Sequence, residues 1–296
     1  MSTDGRMNDG IRRLGASAVS GLIARCFAHP MDTVRTNVMA NPGQGSVVTV
    51  LQSVVRSSGV TGLYRGFGIT AAMHAPAIAS FLTTYDVAKT QFCKLTNLTA
   101  QSPLVHLASG LAAETVSAVF WVPMEVLKQR AQLREGASAS SIAAFRDLLR
   151  HEGLRSLFRG YALTVGTFGP YSMLYFAAYE QWKAFFCRKR GVSSARELGS
   201  IDILASASAS GGFAAATTTP LDIIKTRIQT QGDVKFQRSK QYKSTWEAFK
   251  RIAREEGFRG LTRGMAARVL WIVPQTAITM ATFEKLKKVL DIPEIS

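Results

Sequence analysis

The feature that most constrains this chain is a threefold internal repeat. A phrase of the form proline-x-acid-x-x-base begins at Pro30, Pro123 and Pro220, at intervals of 93 residues (30 to 123) and 97 residues (123 to 220). An arginine-glycine phrase follows in each unit and ends at Gly66, Gly160 and Gly264. A third phrase, aromatic-acid-x-x-lysine, begins at Tyr85, Tyr179 and Phe283. Such phrases, in a fixed order at nearly constant spacing, indicate three tandem units of about 95 residues.

Each unit contains two long segments that are rich in apolar and small residues. The six segments are 14–38, 68–92, 104–130, 162–186, 201–229 and 265–289. At about 1.5 Å of rise per residue, a helix over any of them can cross a hydrocarbon core about 30 Å thick. Helices of a soluble core are the alternative. Ionisable residues recur at equivalent depths in all three units, which favours spans that line a shared aqueous cavity.

The predicted fold class is therefore an all-α membrane protein, with six transmembrane helices in three tandem pseudo-threefold repeats and short amphipathic helices on one side. The short helices are predicted from the helical period of apolar residues in the connectors 46–57, 141–151 and 244–256. One integrated transport domain is expected, made of an N-terminal segment and three repeats: 1–13, 14–103, 104–200 and 201–296.

The distribution of basic residues predicts the orientation of these spans. The connectors within the units, taken as 39–67, 131–161 and 231–264, hold 16 Lys and Arg residues. The segments on the other side, taken as 1–13, 90–103 and 184–200, hold 8. The connectors should face the positive-inside compartment, and an even number of spans places both termini on the opposite side.

The composition bears on the class of protein. A formal charge of +16 would suit a basic protein that associates with RNA or DNA, which is the alternative from a different class. Because 47% of the residues are hydrophobic and 19% are charged, a purely soluble basic protein is disfavoured.

Cys26, Cys93 and Cys187 lie far apart and form no C-x-x-C pair, so we expect small buried hydrophobic residues and no disulfide framework or zinc site. No pattern for catalysis, cofactor binding or a metal site is found, and no enzyme activity is predicted.

The repeated charges predict two rings. Within each proline phrase the acid and base are three residues apart and lie on one helical face, and the proline should kink the helix. About a threefold axis, each acid can meet the base of a neighbouring unit, which predicts the pairs Asp32 with Lys128, Glu125 with Lys225 and Asp222 with Arg35. A second ring is predicted nearer the opposite face, from Asp86, Lys89, Glu180, Lys183, Glu284 and Lys287. Two rings at opposite ends of one cavity would act as two gates; solvated charges that anchor helix ends are the alternative.

These phrases, P-x-[DE]-x-x-[KR]-x-[KR] and [DE]-G-x-x-x-x-[aromatic]-[KR]-G, resemble those of the mitochondrial carrier family over nearly the whole chain. The resemblance implies six tilted transmembrane helices, three short matrix helices and alternating access through one central site. It also implies a multi-pass location in the mitochondrial inner membrane, with both termini toward the intermembrane space. The implied partners are a small-molecule solute and membrane lipid, with cardiolipin at the matrix-side helix termini. The implied protein is a monomer and does not bind nucleic acid.

The resemblance also assigns supporting residues and identifies departures in the first unit. Gln132 and Gln229 would brace the matrix ring, and Tyr85 and Tyr179 would brace the opposite one. The departures are Met39 in place of a brace, Asn37 in place of a second base, Ser58 in place of an acid and, in the third unit, Thr262 in place of an aromatic residue. A weaker matrix gate is therefore expected, although all three acid–base pairs are retained.

The resemblance places solute contacts at Met73, His74, Thr167, Phe168 and Trp271, and Arg25 and Arg268 resemble cavity positions of the family. Two arginines within the membrane favour a solute with a carboxylate or phosphate. Glu114 stands where the other units have Gly21 and Gly211, so it binds an amine, a cation or a proton, or it pairs with a residue such as Arg25. Partial similarity to S-adenosylmethionine carriers and to mitoferrin-like carriers leaves the solute open, and a proton-leak protein is a further alternative.

Overall fold

A computed structural model of the chain describes residues 3–40, 46–99, 102–134, 140–192, 194, 197–231 and 242–289. Within its helices, the side chains of residues 3–14, 17, 283, 284 and 287–289 lie outside the description. The described part is helical and contains no strand. Its α-helices, in chain order, are α1 (Thr3–Ala40), α2 (Val47–Ser58), α3 (Phe67–Thr96), α4 (Pro103–Leu133), α5 (Ser141–His151), α6 (Tyr161–Arg190), α7 (Ser200–Thr230), α8 (Thr245–Glu255), α9 (Gly257–Thr262) and α10 (Met265–Val289).

The six long helices form a closed ring. Helix α3 packs between α1 and α4, α6 packs between α4 and α7, and α10 packs between α7 and α1. Each predicted span falls within one of these helices, which confirms the six-helix, all-α fold. The first helix already begins at Thr3, whereas the sequence predicted a start at 14. A ring of this kind encloses a central space, and the functional residues line it.

Each repeat also contains a short surface helix that packs beneath its own first long helix. At the start of each short helix, a serine hydroxyl accepts a hydrogen bond from a backbone N–H of the first turn. Ser46 accepts from Thr49, Ser140 from Ile142 and Ser244 from Glu247. The buried apolar faces meet in three separate clusters, which centre on Val50 in α2, Leu148 in α5 and Ile252 in α8. The three connectors therefore fix the same end of the three helix pairs.

The glycine of each arginine-glycine phrase makes a tight joint between neighbouring repeats. Gly66, Gly160 and Gly264 have φ values of +79°, +78° and +82°, in the left-handed region that favours glycine. Each immediately precedes a long helix, and each abuts the first long helix of the next repeat. A Cβ at Gly66 would lie 3.0 Å from the carbonyl oxygen of Lys128. Glycine is thus required both by the backbone conformation and by the close approach.

Composition alone identifies one membrane span among the described residues. Helix α4 is long enough and apolar enough to qualify, and the other long helices carry more polar residues. Pro30, Pro123 and Pro220 lie inside α1, α4 and α7, as predicted, and each removes one backbone donor from its helix.

The prediction of buried cysteines is wrong. Cys26 is exposed, and Cys93 and Cys187 are partly exposed. Their free thiols are small apolar groups, so on a membrane-spanning helix this exposure does not require contact with water.

Candidate functional site

Three ion pairs join the repeats near the ends of α1, α4 and α7. Lys128 Nζ lies 2.8 Å from Asp32 Oδ2, Lys225 Nζ lies 2.7 Å from Glu125 Oε2, and Arg35 pairs with Asp222. Arg35 also lies 3.4 Å from Asp32 in its own helix, so the ring is continuous at that point. The carboxylate side chains of Asp32, Asp222 and Glu125 are 5%, 12% and 24% exposed, so the ring is shielded from bulk water.

Two of the three ion pairs are also contacted by a glutamine side chain, on the side of the ring away from the central cavity. Gln132 Nε2 donates to Thr33 Oγ1 at 3.1 Å and lies 3.5 Å from Asp32 Oδ2. Gln229 Nε2 donates to Glu125 Oε2 at 3.2 Å. The equivalent position in the first repeat is Met39, which is fully buried in an apolar cluster with Ile223 and Ile224. The pair between Arg35 and Asp222 therefore lacks a polar brace from this side.

The unbraced pair is instead contacted from the cavity side. The guanidinium of Arg35 lies 4.8 Å from the centroid of the Trp271 ring, within the range of a cation–π interaction. Arg268 Nε lies 3.5 Å from Asp222 Oδ2, and Arg268 Nη1 donates to the carbonyl oxygen of Ala215 at 3.0 Å. Trp271 and Arg268, which the sequence assigned to the solute, thus also support this pair.

Below the ring, a second layer of ion pairs ties α4 and α7 to the surface connectors. Arg130 donates to both carboxylate oxygens of Glu152, at 2.6 and 3.1 Å, and Arg159 pairs with the same carboxylate. Burial opposes ionisation of Glu152, but the hydrogen bonds and charges of Arg130 and Arg159 outweigh it and hold the pKa of Glu152 below its usual range. Sequence analysis assigned no role to this layer, although its residues belong to the repeated phrases.

The third repeat has the same second-layer pair, and the first repeat lacks it. Arg227 forms a two-bond ion pair with Glu256, with 2.8 Å between Nη2 and Oε2. The first repeat has Asn37 and Ser58 at the two positions, so both partners are replaced together and no charge is left unpaired. The amide of Asn37 donates to the carbonyl oxygens of Thr33 and Gln132, at 2.9 and 3.3 Å. Neutral hydrogen bonds thus replace the ionic contact in this repeat.

A central cavity of about 740 Å³ lies directly above the ring of ion pairs. Of the residues predicted to contact solute, it is lined by Arg25, His74, Glu114, Thr167, Phe168, Arg268 and Trp271. Met73 does not line it: this side chain lies in a separate cavity among α3, α4 and α5, beside Met124 and Phe145. Neighbouring residues on a helix point about 100° apart, and here His74 faces the centre whereas Met73 faces the separate cavity.

Trp121 is one of the cavity residues that sequence analysis missed. The Arg25 guanidinium lies 4.9 Å from the centroid of its ring, and the His74 ring meets it edge-on at 5.7 Å. The signal that would have found it is its spacing of seven residues, about two helical turns, from Glu114, which places both on one face of α4. Trp121 is thus part of the cavity wall that α1, α3 and α4 form together.

The second predicted ring is not joined between repeats in the described part of the chain. Lys183 Nζ pairs with Glu180 of its own helix at 2.7 Å and lies 4.7 Å from the ring centroid of Tyr179. Tyr85 meets Nδ1 of His106 at 2.5 Å instead of an ionic group. The side chains of Glu284 and Lys287 lie outside the described residues, and Asp86 and Lys89 have no ionic partner among those described. The lining of the cavity extends toward this end as far as Phe81, Leu82, Thr279 and Met280.

Comparison with known proteins agrees with this architecture. The family model described as Mitochondrial carrier protein matches residues 8–95, 99–190 and 196–293, one match for each repeat. The chain is 34% identical over 284 residues to mitochondrial substrate carrier family protein E of Dictyostelium discoideum, covering 91% of this chain and 93% of the relative. It is 33% identical over 290 residues to mitoferrin of the same organism, covering 93% and 92%.

A third relative is the S-adenosylmethionine mitochondrial carrier protein homolog of Drosophila melanogaster. It is 32% identical over 278 residues, which cover 94% of this chain and 92% of the relative. The family match extends over all three repeats, and these relatives align along nearly their full length. The chain therefore belongs to the mitochondrial carrier family, and it is a multi-pass transporter of the mitochondrial inner membrane and not an enzyme.

Proposed function

We propose that this protein moves a small charged organic metabolite across the membrane by alternating access between two charged gates. The observation that carries the proposal is a central cavity that ends on three ion pairs, each between different repeats. A solute can enter this cavity from the end opposite the three ion pairs, and it can leave on the other side when these ion pairs separate. The second set of charges, Asp86 with Lys89 and Glu180 with Lys183 among them, would then close the opposite end.

The energetics allow such a gate to open and close. An ion pair in contact with water is worth only about 0–1 kcal/mol, and the attraction within a dry pair is offset by the cost of removing both charges from water. Separation of an intact pair into a wetted cavity is therefore far less costly than deletion of one partner. Binding of solute can supply the difference, since a ligand shifts a conformational equilibrium by its differential affinity for the two states.

The basic connectors support an orientation in which α2, α5 and α8 face the matrix and both termini face the intermembrane space. On this orientation, the ion pairs between repeats close the matrix side and the cavity opens toward the intermembrane space. Cardiolipin at the matrix-side helix termini and a monomeric state stay predictions.

The names of relatives supply solutes for a first screen. S-Adenosylmethionine comes from the name of the Drosophila melanogaster relative, and metal ions and adenine nucleotides are tested beside it. We would add amino acids and carboxylates and measure thermal unfolding of the purified protein, because a ligand bound by the folded state raises its melting temperature. A solute that raises it would then be loaded into liposomes that contain the protein, and its uptake and exchange would be measured.

Charge reversal tests the gate directly. D32K and K128D should each reduce solute transport at least tenfold, because two like charges then face each other at the ring. The double variant D32K/K128D should recover a large part of the activity, since the pair is restored in reverse. The matched control is reversal of the pair Arg251–Glu255 on α8, whose atoms lie 3.0 Å apart outside the ring and the central cavity, and it should leave transport unchanged.

Two outcomes would contradict the proposal. The first is wild-type transport by both single variants. The second is a folded double variant that stays as inactive as the singles. Proton conductance of the liposomes with no uptake or exchange of any solute in the screen would instead favour a proton-leak protein on the same fold.

A further inference from the structure

The charges that line the central cavity do not all have a partner within it. Four cationic side chains face it, namely Arg25, Arg35, Lys225 and Arg268, and three anionic ones, namely Glu114, Glu125 and Asp222. Glu125 pairs with Lys225, and Asp222 pairs with Arg35 and lies near Arg268. Among the described residues, Arg25 and Glu114 are left without an ionic partner, one of each sign.

Arg25 is held in place without being neutralised. Its guanidinium lies 4.9 Å from the Trp121 ring centroid, and His74 meets the same ring edge-on. The imidazole of His74 fits against α1 because Gly21 has no side chain: a Cβ there would lie 2.4 Å from His74 Nε2. Stacking on an indole fixes the plane of the guanidinium and leaves its N–H groups available for a planar oxyanion.

His74 completes the wall beside Arg25. The residue is 4% exposed and lines the cavity, and among the described residues neither ring nitrogen has a hydrogen-bond partner. Both nitrogens are closed to solvent and Nε2 lies against α1 at Gly21, so the imidazole packs against the Trp121 ring and is not itself a contact for the ligand.

Glu114 lies farther along the same wall. Seven residues separate it from Trp121 on α4, which corresponds to two helical turns and a rise of about 10 Å on one face. Because Arg25 lies over Trp121, the free cation and the free carboxylate are displaced from each other along the cavity axis. A solute with a single charge would pair with one of them and leave the other without a counter-ion among the described residues.

We propose that the solute is a zwitterion, whose oxyanion binds Arg25 and whose cationic group binds Glu114. This inference rests on the proposed function, since it concerns the same cavity. The two charges of the solute then give Arg25 and Glu114 one counter-ion each. A ligand that leaves either side chain unpaired binds more weakly, because it makes one charge-assisted contact fewer.

The test uses a series of probes on the full-length purified protein. The zwitterions are 4-aminobutyrate, 6-aminohexanoate and 8-aminooctanoate, and the matched single-charge compounds are hexanoate and hexylamine. Affinities come from the rise in melting temperature with ligand concentration. We expect one zwitterion to bind at least tenfold more tightly than both single-charge compounds, and we expect affinity to depend on chain length.

Two variants separate a role in binding from a role in folding. E114Q should remove the preference for the zwitterion over hexanoate, and R25Q should remove its preference over hexylamine. Each loss should be about tenfold, the usual effect of one hydrogen bond to a charged group. R56Q, which removes an exposed charge on α2, is the matched control and should retain the wild-type preference.

A merely structural role would lower the melting temperature without changing which probe is preferred. The inference is overturned if no zwitterion binds more tightly than the single-charge compounds, or if the order of preference is the same in all three variants. These measurements are made at equilibrium in detergent, so they are independent of the charge-reversal test of transport. A gate that behaves as proposed together with unchanged preferences would refute the zwitterion alone.

Discussion

Removal of Glu152 from the second layer should destabilise the protein far more than the equivalent change in the first repeat. The side chain of Arg130 is 1% exposed and donates two hydrogen bonds to Glu152. In E152Q this guanidinium loses its counter-ion but stays out of water. Loss of one partner of a buried pair costs about 3–5 kcal/mol. Arg130 keeps its bond to the carbonyl oxygen of Gln231, at 3.0 Å, and the new amide oxygen can still accept. We therefore expect a loss of roughly 2–3 kcal/mol.

The assay is thermal unfolding of the purified protein in detergent without solute. In a domain of this size 1 kcal/mol corresponds to about 2–4 °C, so E152Q should lower the melting temperature by roughly 4–12 °C. E256Q should act in the same direction in the third repeat. S58A is the matched control at the equivalent position of the first repeat, and it should change the melting temperature by less than about 1 °C, because no ion pair is present there.

The difference between wild type and E152Q should also depend on pH. Because the pKa of Glu152 is lowered in the folded protein, its stabilisation is present above the usual glutamate pKa and is lost as the pH falls through the lowered value. The two melting temperatures should therefore converge at acidic pH. Equal effects of E152Q and S58A at neutral pH would refute this account of the second layer.

Two further variants test the joint and the brace of the ring. G66A should destabilise the protein by about 1–3 kcal/mol, because residue 66 has a positive φ and an added Cβ would press against Lys128. G68A is the control: its added Cβ meets no atom within 4 Å, so it should be neutral or slightly stabilising. Equal melting temperatures of the two variants would contradict this reasoning. Q229M copies the first repeat, removes the bond to Glu125 and should cost about 1–2 kcal/mol in thermal unfolding, and an unchanged melting temperature would show that the brace carries no stability.

The fold and the composition of the ring were accessible from sequence because the repeat supplies symmetry. The positions of Pro30, Pro123 and Pro220 fix which acid meets which base, and the three contacts follow from a threefold arrangement. Six long segments likewise predict six long helices. The exact ends were less accessible: α1 continues to Thr3, where no apolar pattern marks it.

The rotation of each helix about its axis was harder to predict. Met73 and His74 are adjacent in sequence, and their residue types do not say which of them faces the cavity. Trp121 stands among apolar residues just before Pro123, so its type equally suits a lipid-facing position. Its spacing from Glu114 indicates the face of α4 on which it lies, but its contacts with Arg25 and His74 come from two other helices and are not recorded in α4. The second ring is not joined between repeats among the described residues, so its pairing stays a prediction.

The arrangement of the three ion pairs has a consequence for how the repeats can move. Each repeat contributes one acid to one pair and one base to another, so displacement of any single repeat disrupts two pairs at once. The last pair then joins the two remaining repeats only. Under the proposed gating, full separation of the ring therefore requires a second repeat to move as well, because displacement of one repeat leaves the pair between the other two intact.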